Sequence, residues 1–115
     1  MKEMRNEIEY KGVKYNLVFN LNVMEIIQDE YGTLDKWGSL TDGSKGEPNA
    51  KAIIFGLTAM INEGIEIDNE NNGTDIKPFN HKQVGRILTE FGLLNATKKI
   101  NQVVIESTKS EEKNA

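Results

Sequence analysis

The sequence predicts a small α+β domain, an N-terminal β-hairpin packed on a bundle of about four helices. Three observations predict it. Apolar and polar residues alternate between Ile8 and Phe19, apolar stripes at helical spacing begin at Val23, and Gly or Asn punctuates the chain where helices should start and stop. At 115 residues and 13.0 kDa the chain suits one domain. That domain is expected over residues 1–108, with residues 109–115 as a disordered charged tail.

The elements follow in order. Residues 1–7 are polar and charged and are expected to fray. Ile8 and Tyr10 lead into Lys11-Gly12. Val13, Tyr15, Leu17 and Phe19 then recur at every second position, the period of a half-buried strand. Lys11-Gly12 is short enough for a tight hairpin turn in which Gly12 takes positive φ. Asn22 with Glu25 three positions later resembles a capping box, so a first helix is expected over Val23–Tyr31, with Gly32 as its left-handed cap. Leu34 and Trp37 suit one further turn folded back on it.

Residues 38–48 (GSLTDGSKGEP) read as an exposed loop, with Pro48 in the first turn of the next helix. Ala52, Ile53, Phe55, Gly56, Leu57, Met60 and Ile61 make that helix mostly apolar, which marks it as the central core helix, ending at Gly64. For residues 65–79 a second hairpin turning at Asn72-Gly73 and an irregular loop both fit. Asn80 is better placed than Thr74 to cap a third helix. Val84, Ile87, Leu88 and Phe91 form its stripe and Gly92 its end. A fourth helix is expected with Asn95 as cap and Ala96, Ile100, Val103 and Val104 on one face.

Composition narrows the chemistry. Eighteen acidic and fourteen basic residues give a formal charge of -4, which weighs against bulk attraction to nucleic acid or an anionic membrane. Cysteine is absent, so disulfides, thiolate chemistry and thiolate-held metals are excluded. No apolar run is long enough to span a membrane, and MKEMRNEIEY lacks an apolar signal-peptide core, so a cytoplasmic protein is expected.

No catalytic constellation emerges. His81, the sole histidine, sits at a helix start with no second histidine and reads as a surface residue. The serines share no pattern with it that would suit a nucleophile and base. Asp68 to Gly73 begins like a calcium loop, but Asp75 stands where an apolar residue belongs, the eleventh position is Pro78 and Phe79 replaces the bidentate acid, so a turn is the better reading. Gly43-Ser44-Lys45-Gly46 lacks the strand and spacing of a phosphate loop. The chain is therefore expected to be non-enzymatic and without cofactor or metal. The third and fourth predicted helices do resemble a helix-turn-helix. Lys82, Arg86, Lys98 and Lys99 outnumber Glu90, and Asn95, Lys98, Asn101 and Gln102 suit base reading. A DNA-binding regulator using residues 81–106 is thus the rival functional class; a plain helical hairpin is the simpler reading.

The block YKGVKYNLVFNLNVMEIIQDEYGTLDKW (residues 10–37) resembles the opening of the tail assembly chaperones of phages of Gram-positive bacteria with long, non-contractile tails. Gly12, Tyr15, Leu17, Phe19 and Leu21 match their extended opening segment. Ile26, Glu30, Tyr31 and Gly32 match the helix that follows it. The central apolar helix, the HKQVGRILTEFG helix, a final amphipathic helix and a charged tail extend the likeness over about residues 8–108, while the long 65–79 stretch departs from it. The resemblance implies a non-catalytic host-cytoplasmic protein, absent from the mature virion. Its partners would be the tape-measure protein, tail tube subunits and further copies of itself. Leu34, Trp37, Val103 and Ile105 are the candidate partner-binding residues. The family also implies a longer frameshifted product; Glu112-Lys113-Asn114 can be encoded GAA-AAA-AAC, which contains a slippery heptamer. A phage adaptor for a different tail or head protein is a third option.

Overall fold

The computed structural model describes residues 6–44 and 46–114, with side chains described as far as Ser107. An antiparallel hairpin, β1 (Glu7–Tyr10) and β2 (Val13–Asn16), precedes five helices: α1 (Leu21–Tyr31), α2 (Leu34–Thr41), α3 (Ala50–Asn72), α4 (His81–Phe91) and α5 (Leu93–Asn114). The α+β class and the opening hairpin are as expected, with five helices rather than about four. No helix among the described residues is long and apolar enough to cross a membrane.

The hairpin forms where the alternation placed it. Ile8 pairs with Tyr15 and Tyr10 with Val13, and both turn residues take positive φ, Lys11 at 52° and Gly12 at 79°. That pair of angles matches the right-handed twist of two short strands. The fraying expected over residues 1–7 lies outside the described residues up to Arg5. Beyond it, Asn6 accepts a 2.7 Å bond from the Leu17 amide and Glu7 opens β1. β2 stops at Asn16, three residues short of the alternating run, because its chain leaves the hairpin to run against α3. The Val18 amide donates to the Met60 carbonyl at 3.3 Å, and Leu17 and Phe19 are buried there.

α1 begins at Leu21 with Asn20 as its cap, accepting from the Val23 amide at 3.2 Å. The expected cap, Asn22, instead lies in the first turn and donates to Glu63 on α3 at 3.0 Å; Asn20 donates to the same carboxylate oxygen at 2.8 Å. The turn foreseen at Leu34 and Trp37 is a full helix capped by Thr33. It takes in residues 38–41 of the expected loop. Asn49, not Pro48, opens α3, accepting from the Ala52 amide at 2.9 Å.

The largest departure from expectation is α3. Gly64 does not end it; the helix runs on to Asn72 and is capped by Gly73 in the left-handed conformation. Gly64 is there for close approach: a Cβ at that position would collide with the Asn16 carbonyl oxygen of β2. Residues 65–72 are therefore neither a hairpin nor a loop. Two asparagines two turns apart then hold the returning chain against α3. Asn62 donates to the Phe79 carbonyl at 2.9 Å and accepts from its amide at 2.8 Å. Asn69 donates to the Ile76 carbonyl at 2.9 Å and accepts from its amide at 3.0 Å. The side-chain amides do what a neighbouring strand would do.

α4 is capped as expected by Asn80, in a reciprocal box with Gln83. Gly92 alone, at φ 99°, separates α4 from α5. Asn95 does not cap α5; it lies in its first turn and donates to the Phe91 carbonyl at 2.8 Å, which closes the end of α4 instead. The backbone of α5 continues to Asn114, into the segment expected as a tail. The core gathers around α3. Ile53, Leu57, Met60 and Ile61 are fully enclosed by Ile8, Val23, Ile27, Trp37, Val84, Ile87, Ile100 and Val103. Each such aliphatic side chain contributes about 1.5–3 kcal/mol on burial.

Candidate partner-binding surface

The four candidate residues divide. Trp37 is 3% exposed: its indole N–H donates to the Ala52 carbonyl at 3.0 Å, and its ring stacks on Phe19 at 6.4 Å between centroids. Val103 is 2% exposed and packs in the same core. These two are structural, because the stripes that carry them face α3. Leu34 is half-buried against the core, and Ile105, 53% exposed, remains on the surface.

Among the described residues, apolar groups line several surface depressions, and two of these reach about 610 and 650 Å³. The first is a cleft of about 610 Å³ between the β2–α1 connection and α5, lined by Leu17, Phe19, Leu21, Met24 and Val103. Ser107 of α5 spans its base, donating to the Phe19 carbonyl at 3.0 Å. Leu21, 74% exposed, stands at this cleft.

The second lies along α3, on the side turned away from the hairpin. Ile54 and Phe55 form its floor, Gly85 of α4 leaves it open, and Lys51, His81, Lys82 and Arg86 stand around it, a groove of about 650 Å³. A Cβ at Gly85 would meet only Ile54 Cδ1, at an ordinary 3.6 Å. A smaller depression of about 280 Å³ continues the groove past Ile53, Leu88 and Leu93. In the other direction Phe55 and His81 are shared with a third depression that reaches Ile26, Glu63 and Glu66. Phe55 is held edge-on by Tyr31 at 5.6 Å and flanked by His81 at 5.6 Å. The Tyr31 hydroxyl is shut off from solvent without a hydrogen-bond partner; that burial, then the charge of Glu30, raises its pKa above the ordinary value.

Among the described residues no three His, Asp or Glu side chains cluster as a metal-ligand set. Asp68, in the segment that begins like a calcium loop, lies within α3, where its carboxylate accepts from Asn16 at 3.1 Å. Asp42 has its pKa lowered by the Ser44 amide, which donates to it at 2.8 Å and stabilises a loop. His81 is exposed, as read from the sequence.

The groove was not foreseen. It needs Ile54 and Phe55 on α3 to meet a glycine on α4, and the only signal in the sequence is Gly85 inside an otherwise regular helical stripe. Comparison with protein-family models, with curated proteins and with solved structures returned no match.

Proposed function

We propose that this protein is a tail assembly chaperone of a long-tailed phage or prophage, a non-catalytic domain that binds the tape-measure protein and keeps it soluble while the tail tube assembles. The observation that supports it most is apolar surface left open on a well-packed domain, above all the half-covered Ile54 and Phe55 of α3. A very long helical chain with repeated apolar faces aggregates when exposed, and many copies of a small acidic domain with apolar grooves would keep it dispersed. Weak binding per copy suffices when the sites repeat along one partner. Departure of the chaperone as tube subunits arrive fits a role in the host cytoplasm and absence from the finished particle.

The rival reading, a DNA-binding regulator using residues 81–106, draws on the exposed cations Lys82, Arg86 and Lys98. Against it, Asn95 is occupied in closing α4.

The gene's locus tests the proposal. A slippery heptamer at codons 112–114, an overlapping frame and then a very long helical reading frame are expected. Co-expression should move that long protein from the insoluble to the soluble fraction. A locus without tail genes, together with duplex binding that falls steeply with salt, would replace the chaperone by the regulator.

A further inference from the structure

We infer that the groove between α3 and α4 is the docking site for an amphipathic partner helix whose apolar stripe is flanked by acidic side chains. This deepens the chaperone reading and rests on it for the helical character of the partner. Three features lead there. The floor, Ile54 and Phe55, is apolar and open because position 85 carries no side chain. Lys51, Lys82 and Arg86 are exposed around it with no carboxylate among the lining residues, and no ion pair engages them among the described residues. On a chain of charge -4 this is a local reversal of sign, and it selects a partner of opposite charge.

The third feature is the secondary structure of the walls. Every residue lining the groove and its smaller continuation belongs to α3, α4 or the first turn of α5. Such walls present side chains and little unpaired backbone. An extended peptide laid there would leave its own amides unsatisfied, whereas a helix arrives with them already bonded. Glu63 and Glu66 begin beyond Phe55 and His81, so the acidic flank of the partner must lie over the Lys51–Arg86 stretch and end before them.

Fluorescence polarisation with two labelled peptides of about 18 residues tests this. Both carry leucines along one helical face; one flanks them with glutamate, the other with lysine. The glutamate peptide is expected to bind at least about tenfold more tightly at low salt. K82E/R86E should reverse that preference, and Gly85→Leu should weaken both peptides by filling the groove. Leu21→Asp, at the α5 cleft, should change neither. If Gly85→Leu perturbs the fold, the charge reversal at the two exposed positions decides alone. Equal affinity for the two peptides, or loss of binding in Leu21→Asp instead, overturns the assignment. So does duplex DNA binding that K82E/R86E abolishes while neither peptide binds. Failure of both peptides while the long partner is still solubilised would sink this groove and leave the chaperone reading standing. Peptide binding without that solubilisation would do the reverse.

Discussion

The two sides of α3 differ in what a glycine does. On the side facing α2 and the hairpin, Gly56 and Gly64 let neighbours touch the helix backbone: a Cβ on Gly56 would strike the Trp37 indole, and one on Gly64 the Asn16 carbonyl. Ile53, Leu57, Met60 and Ile61 are fully buried beside them, and the depression that remains at Gly64 is lined largely by polar residues such as Asn6, Glu7, Asn16 and Asp68. On the other side runs the row Lys51, Ile54, Phe55, Asn62 and Glu66, and there the glycine belongs to the opposing helix. Gly85 opens space that no other side chain fills. Absent side chains thus serve opposite ends, closing one face and opening the other. The closed face holds the fold, and the open face is available to a partner.

Substitutions can break this contrast. Trp37→Ala should have the largest effect, about 3–5 kcal/mol of stability, because it empties the space against Gly56 and Phe19 and leaves the Ala52 carbonyl without the indole donor. Urea denaturation followed by circular dichroism measures it. Gly64→Ala should cost about 1–3 kcal/mol, since backbone must move to admit the methyl group; a gain in stability there, as helix propensity alone would give, would show that the contact with β2 is loose. Asn62→Ala should cost about 1–2 kcal/mol by leaving the Phe79 amide and carbonyl without partners, and should speed amide exchange at Phe79. Gly85→Ala carries the smallest effect and the opposite sign. It should raise stability by about 0.5–1 kcal/mol, because in a helix interior the methyl group meets only Ile54 Cδ1, at an ordinary contact distance. A rise in thermal midpoint at position 85 against a fall at position 64 is the contrast in its simplest form.

What was legible in the sequence depended on how local its cause was. Lys11-Gly12 specified its turn, and Asn80 with Gln83 specified the start of α4, because the partners lie within a few residues. The stripe Val84, Ile87 and Leu88 identified its own buried face. At Gly64 the local rule for a helix end competes with close packing against Asn16, and that partner is 48 positions away, so the length of α3 is not legible locally. Asn62 and Asn69 were unreadable for the same reason: nothing along the chain indicates that their side chains bond the returning segment. Among the candidate contact residues, Trp37 and Val103 show that apolar residues at helical spacing are core first. Lys82 and Arg86 stood out as cations, but the groove beneath them exists only once α4 lies across Ile54 and Phe55.

The most direct measurement is amide hydrogen exchange on the whole chain, with and without the glutamate-flanked helical peptide at saturating concentration. The account predicts added protection over residues 51–55 and 81–89, with the α1 start around Leu21 and the α5 segment around Glu106 and Ser107 unchanged. Protection confined to Leu21, Glu106 and Ser107 would contradict it and place the partner at the α5 cleft instead.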